Sequence, residues 1–285
     1  MSDLGPVARE AARRWGLPEP EHLRTAISSL WAAGDDVVLR VAPLLFGAAA
    51  EESWMAAMSR LDVRVPRLLR AIERIDGHDV AAIERIHPSG EVDWAEVGAM
   101  VRRVHSIDPA DVPGLQWCGG LGHWQVDQLL GEVRPLIDDA ALRGLDATLA
   151  RWVGWRERMR EHLVVCHGDV HPGNVMPSPT GPVLIDWDLR CLGPAGWDHG
   201  PMMRWGERWA PSWGGRPGSY DDFARGYGQS LRGEWMAEAI GDLRLVIATL
   251  MRVRAGRTDA AAAEEAERRL RWWRGDADAP LWRPQ

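Results

Sequence analysis

The residues best equipped for chemistry are gathered in one stretch, Val164 to Asp188, which reads VVCHGDVHPGNVMPSPTGPVLIDWD. An apolar strand delivers His167-Gly168-Asp169 to a loop. Asn174 follows Asp169 by five positions, and Asp186 ends a second apolar strand twelve positions later. A loop carboxylate can take a proton from a substrate, and an amide and a carboxylate further on offer the hard oxygen ligands that suit magnesium. The same residues allow other readings. His167, His171, Asp169 and Asp186 could form the zinc site of a metallohydrolase, but an i,i+4 histidine pair serves zinc from a helix, and Gly168, Pro172 and Gly173 oppose a helix. A buried polar turn would explain His167 or Asp169 singly, each satisfying backbone groups, and explains the whole ordered set poorly.

Protein kinases also place an asparagine five positions after the aspartate of the catalytic loop and follow it with a metal-binding aspartate. In that arrangement Asp169 accepts the proton of a substrate hydroxyl, while Asn174 and Asp186 hold the cations that neutralise charge on the transferring phosphoryl group. Such chemistry demands a distant second half, with a cation on a strand to grip the nucleotide phosphates and an acid on the next helix to orient it. Arg40 in VVLRV and Glu51 on the following helix stand in that order. Glu51 precedes Trp54, Met55 and Met58 at i+3, i+4 and i+7, so it shares the buried stripe of its helix, whereas Glu52 faces elsewhere.

Composition removes competitors. No lysine occurs among the 285 residues, so all 34 basic residues are arginine. Schiff-base enzymes and P-loop NTPases, which need that amine, are excluded, and any phosphate clamp must be arginine. A net charge of -7 argues against a nucleic-acid partner. Cys118, Cys166 and Cys191 cannot all pair and lack metal-site spacing, which points to a reducing cytoplasm. The amino terminus has no secretory apolar region and no run of about 18 apolar residues could span a bilayer, so no membrane partner is expected. Most of the 17 tryptophans read as core.

The elements that must position these residues follow from periodicity. Val7 to Trp15 reads as a helix stopped by Gly16 and Pro18. Thr25 to Val41 reads as a hairpin around Gly34-Asp35-Asp36, and residues 44–60 as a helix. Strands follow at Leu68 to Glu73 and VAAIERI, with a turn at Asp76-Gly77. Helices are expected at 93–106, 123–137 and 139–162, then the strand VVC, the catalytic loop, and short strands in NVMP and PVLIDW. Beyond Asp198 the chain reads as helical except for the loop GERWAPSWGGRPG. The fold class is therefore α+β. The expected organisation is a small β-rich lobe at 1–86, a hinge at about 83–88, and a larger, mostly helical catalytic and substrate-binding lobe at 87–285.

HGDVHPGN followed by LIDWD resembles the signature of the aminoglycoside phosphotransferase family, which also includes choline-kinase-like and other small-molecule kinases. The resemblance extends to the VLRV strand, the Glu51 helix, the AIERI connector, the VGAMVRRVHSID helix and GPAGWD, and implies a protein-kinase-like two-lobed fold. It implies Asp169 as catalytic base, Asn174 and Asp186 as magnesium ligands, and Arg40 with Glu51 as the phosphate-gripping pair. It implies backbone hydrogen bonds from the Glu84 to Ile86 connector to a purine base, and supporting roles for His167, Asp188 and Asp198. Two departures stand out. The usual strand lysine is Arg40, which leaves ATP or GTP open as co-substrate, and the nucleotide-covering segment near Arg24 to Leu30 lacks glycine, leaving Thr25, Ser28 and Ser29 as donors.

Acceptor contacts should come from residues after Asp186, where nine acids face six arginines between 186 and 242. Glu207, Asp221 and Asp222 could steer a polyamine, and Trp205 and Trp209 could stack on a sugar or a cation. The plainer alternatives are a solvated helix face and indoles that pack a loop onto its helices. The reading is a magnesium-dependent phosphotransferase acting on a small-molecule hydroxyl, in an antibiotic such as an aminoglycoside. A metabolic kinase of the choline or amino-alcohol type and a nucleotide-binding pseudokinase are the alternatives. The sequence is silent on oligomeric state.

Overall fold

The computed structural model describes residues 3–25, 28–42, 48–112, 114–121, 124–213 and 216–283. Contacts sort the chain into two units, one of Met1–Asp93 with Val175–Asp188 and one of Trp94–Asn174 with Leu189–Gln285. The chain therefore leaves the second unit at Asn174 to contribute a short hairpin to the first, and returns at Leu189.

In the first unit, helix α1 (Gly5–Trp15) carries Pro6 in its opening turn, where a missing N–H costs no bond, and ends at Gly16 in the left-handed conformation, φ 64°. Its Val7, Ala8, Ala11 and Ala12 pack against Leu39, Val41, Ile75, Val80 and Ala82 of an antiparallel sheet. That sheet has the order β1-β2-β3-β5-β4, built from β1 (Glu21–Thr25), β2 (Ser29–Ala32), β3 (Val37–Ala42), β4 (Glu73–Ile75) and β5 (His78–Glu84). Side chains alternate along a strand, so Leu39 and Val41 face α1 while Val38 and Arg40 lie on the other face. Helix α2 (Ala48–Arg60) buries Glu51, Trp54 and Met58.

The second unit is mostly helical: α3 (Trp94–His105), α4 (Val126–Val133), α5 (Asp139–Arg151), α6 (Trp155–Arg158), then β6 (Leu163–Cys166). The hairpin of β7 (Val175–Met176) and β8 (Val183–Leu184) belongs to the first unit. Strand β9 (Cys191–Pro194) pairs antiparallel with β6, and α7 (Gly196–Arg208), α8 (Ser219–Tyr227), α9 (Trp235–Ala255) and α10 (Ala260–Trp273) complete the unit. Helix α9 runs through its core, burying Ile240, Leu243, Val246, Ile247 and Leu250. Each such side chain contributes about 1.5–3 kcal/mol, which makes α9 the element the unit can least lose. Trp124, Trp197 and Trp282 are among the largest fully buried side chains, and all three cysteines are buried and free.

The α+β class is as read from the sequence, with corrections inside it. Glu21–Thr25 is a strand that periodicity missed, because every one of its side chains is exposed at the sheet edge and no apolar alternation marks it. The first strand of the hairpin is shorter than Thr25 to Ala33, covering Ser29–Ala32. Leu68 makes only an isolated bridge to Ile83, and the true strand begins at Glu73. The helix expected over 139–162 breaks at Trp152–Gly154, where Gly154 adopts φ 82°, and resumes as the single turn α6. The beginning of the helix expected over 44–60 lies outside the described residues; its described part starts at Ala48.

Candidate active site

Strand β6 ends at Cys166, and the loop that follows is held from beneath by one carboxylate. Asp198, in the first turn of α7 and fully buried, accepts the backbone N–H groups of His167 and Gly168, each at 2.8 Å, and Nε2 of His105 at 3.1 Å. Burial alone would raise the Asp198 carboxyl, but the His105 hydrogen bond and charge, with help from His167 and the Gly168 amide, hold it below the usual carboxylate range. Burial likewise disfavours charge on His105, yet Asp198 and the Cys166 thiol keep its pKa well above the ordinary value. A buried imidazolium-carboxylate pair thus anchors the loop, and Tyr227 Oη, 2.9 Å from His105 Nδ1, completes it. Gly168 adopts φ 93°, and a Cβ there would lie 2.0 Å from the carbonyl oxygen of Leu189, so no other residue fits.

Fully buried His167 accepts the N–H of Asp169 on Nδ1 at 3.2 Å, turning that residue out of the loop. Asn174, buried on the short turn Pro172–Asn174, donates Nδ2 to the Asp169 carbonyl at 2.9 Å and to its Oδ2 at 3.2 Å. The amide nitrogen of Asn174 is thereby spent inward. Among the described residues no donor engages its oxygen, which is what a hard-cation ligand requires. His171 Nε2 lies 3.4 Å from Asp169 Oδ2, and Arg244 of α9 forms an ion pair with Asp169 Oδ1. Sequence reasoning missed Arg244. Its signal was a charge set into the apolar run IGDLRLVIATL, at i+4 from buried Ile240 and i-3 from buried Ile247.

The first unit gathers a second cluster. Asp188 is buried and accepts Ser28 Oγ at 2.9 Å and the guanidinium of Arg40, whose Nε also lies 3.4 Å from Ser28 Oγ. Asp186 stands in the left-handed region, φ 64°, and pairs with Arg24 of β1 at 2.9 Å. A non-glycine residue held there stores strain of the sort found at functional sites. Between the two acids, Trp187 packs on Trp54 of α2 with ring centroids 5.2 Å apart. Arg24 is a second residue that sequence reasoning passed over, since its partner lies 162 positions away. Glu51 is buried on α2, as its stripe required.

The connector is partly committed to the sheet. The Glu84 N–H bonds to Arg67 O, that of Arg85 bonds to Asp36 O, and the Glu84 carboxylate pairs with Arg67 at 2.9 Å. Ile86, half-buried and one residue beyond, has an N–H that donates to no carbonyl among the described residues.

The residues expected to touch the acceptor are placed differently. Trp205 and Trp209 are buried, stacked on each other with centroids 4.5 Å apart, and Trp205 also stacks under His171 at 4.7 Å. Their faces are occupied, so any influence on a ligand passes through His171. Glu207 pairs with Arg204 and Arg232, Asp221 with Arg232, and Asp222 with Arg225 and Arg216. None of these three acids is left as an unpaired negative charge.

Three solved structures share the fold over most of their length. A spectinomycin phosphotransferase bound to AMP superposes with a TM-score of 0.66 at 13% identity, covering 92% of this chain and 94% of that one. The GDP and kanamycin complex of APH(2")-IIia gives 0.68 at 13% identity, with 96% and 100% covered. The macrolide 2'-phosphotransferase of Brachybacterium faecium gives 0.58 at 20% identity, with 93% and 97% covered. No curated protein sequence matches the chain. At such identities the likeness is one of fold, and the fold is kinase-like. Membership rests on the sequence itself, which matches the phosphotransferase enzyme family over residues 26–239, three quarters of the chain, with Arg40, Asp169, Asn174, Asp186, Asp188 and Asp198 included: the protein belongs to that family.

Proposed function

We propose that the protein transfers the γ-phosphoryl group of ATP or GTP to a hydroxyl of a small molecule, with magnesium as the required cation. The observation that carries this reading is Asp169: a loop carboxylate fixed by Asn174 and His167, on a backbone anchored to buried Asp198. The acceptor oxygen attacks the γ-phosphorus as its proton passes to an Asp169 oxygen. The bond from phosphorus to the β,γ-bridging oxygen breaks, and the nucleoside diphosphate leaves with the bonding pair. Asn174, through its unengaged amide oxygen, and Asp186 are the residues that would hold the metal. Bound magnesium neutralises charge on the phosphates.

Arg40 grips phosphate oxygens with a planar guanidinium where the family's lysine would offer a point charge, and Asp188 with Ser28 orients it. Arg24, now on Asp186, is a second arginine available to phosphate. The free N–H of Ile86 suits a purine base, and Glu51 supports the phosphate side from α2. Support for a nucleotide and an antibiotic-like acceptor comes from the neighbouring folds, which carry AMP, or GDP with kanamycin.

The test is Asp169→Asn, assayed by transfer of labelled γ-phosphoryl from ATP and from GTP to a panel of hydroxylated antibiotics and amino alcohols. The turnover number should fall about 10²–10⁴-fold in a chain that still folds, as checked by circular dichroism. Full retention of turnover overturns the assignment.

A further inference from the structure

Arg244 is a cation without enough company. It sits on α9 between buried Leu243 and Leu245, and burial pushes its pKa down to about 10, which leaves it charged at neutral pH. A guanidinium presents five N–H donors. Among the described residues its one acidic partner is Asp169, which takes Nη2. Other enclosed arginines of the same unit are better served. Arg204 has three carboxylates, Glu207, Glu238 and Asp242, and Arg269 has Glu265 with the carbonyls of Ala248 and Arg283. The spare donors of Arg244 are not sealed off, since 19% of its side chain remains exposed beside the carboxylate assigned as base.

We propose that Arg244 selects the acceptor, and that the acceptor is a hydroxy acid: a molecule carrying a carboxylate close to the hydroxyl that is phosphorylated. The inference rests on Asp169 being the base to which that hydroxyl is presented. A carboxylate from the ligand takes the spare donors of the guanidinium as a two-point pair, which fixes the hydroxyl against Asp169. An ammonium group at the same place meets a partly desolvated like charge. The paired Asp169 carboxylate offsets part of that repulsion, so the ammonium is disfavoured relative to the carboxylate by about tenfold or more. The acids that might draw in a polyamine, Glu207, Asp221, Asp222, Glu238 and Asp242, are each held by arginines. Among the described residues, the unit thus provides at the base a guanidinium with one acidic partner and donors to spare, while each of these five acids is paired with an arginine.

The experiment uses three matched probes, galacturonate, galactose and galactosamine. They are titrated into the full chain with magnesium and a non-hydrolysable triphosphate analogue, and followed by tryptophan fluorescence. The expected order is galacturonate tightest, at least tenfold ahead of galactose, with galactosamine weakest. In Arg244→Gln the galacturonate constant should weaken at least tenfold and the galactose constant less than twofold, while Arg244→Lys keeps part of the preference. Galactosamine binding best, no measurable galacturonate binding, or an unaltered order in Arg244→Gln overturns the proposal. The order in the unaltered chain is itself decisive should the glutamine variant fail to fold. Labelled-phosphoryl transfer in Asp169→Asn is read separately. Transfer that survives this change defeats the phosphotransfer assignment of Asp169 and leaves the charge preference standing, whereas loss of the preference with transfer still dependent on Asp169 does the reverse.

Discussion

The two polar clusters are built on opposite principles. In the second unit, the loop bearing Asp169 is fastened by backbone amides to Asp198, a carboxylate with no solvent exposure, neutralised by His105 from a different helix. In the first unit, Asp186 and Asp188 are met among the described residues by side chains alone: Arg24, nearly half exposed, on Asp186, and Arg40 with Ser28 on the buried Asp188. Backbone bonds to a buried charge fix one geometry, because any alternative strands a desolvated ion. A partly exposed ion pair such as Arg24–Asp186 costs little to open. Under the proposed function, the difference is that between a loop that holds the base in place and a surface pair, Arg24–Asp186, that is free to exchange partners.

The comparison breaks most decisively at Asp198. Asp198→Ala leaves His105 charged in a buried setting and strips two amides of their acceptor, so stability should fall by about 3–5 kcal/mol, measured by urea unfolding. A loss below about 1 kcal/mol would mean that the loop is held by something else.

Acidity should act on the same anchor. His105 binds its proton more tightly folded than unfolded, so its contribution is complete below about pH 6.5 and drains away as pH rises toward its elevated folded value. Asp198 is shifted the other way, and its contribution, present above about pH 3.8, is lost as pH falls below that. His199 is pushed down to about 3, chiefly by burial and then by the charge of His105, so acidification below about pH 6.5 favours the unfolded chain. Unfolding midpoints measured from pH 4 to 10 should peak near pH 6.5, and His199→Phe should flatten the acid limb. A monotonic profile would contradict the charged His105-Asp198 pair.

The smallest effect on stability belongs to the exposed Arg24–Asp186 pair of the first unit. Arg40→Ala should raise the nucleotide KM about 10–100-fold and also lower the melting temperature, because it leaves the buried Asp188 carboxylate with Ser28 alone. Arg24→Ala should cost at most about 1 kcal/mol of stability, as expected for an exposed pair. Calorimetry showing Arg24→Ala to be as destabilising as Asp198→Ala would erase the contrast.

What the sequence revealed follows from distance along the chain. Asp169, His167 and Asn174 fall within eight residues, so their spacing survives in the string, and Asp198 follows a recognisable GPAGWD. Arg244 and Arg24 were not foreseen, because their partners are 75 and 162 positions away and nothing local marks the pairing. Strand β9 escaped notice for another reason: CLGP has a glycine and a proline, and it pairs only because β6 offers Val165 and Cys166 across from it. Trp205 and Trp209 show the limit of composition, since a tryptophan-dense loop looks the same whether its rings face a ligand or, as in this structure, one another.

One feature of the chain path bears on how the protein is made. The sheet that holds Arg24, Ser28 and Arg40 is complete by residue 93, yet Asp186 and Asp188 arrive on a hairpin ending at residue 188. At about 5–20 residues per second, a ribosome needs roughly 5–20 s to synthesise the intervening 95 residues. For that interval the nascent first unit carries three donors whose acceptors do not yet exist. A fragment ending at residue 93 should therefore never mature as the intact chain does, and a chaperone or the nucleotide itself has a natural window in which to meet those arginines first.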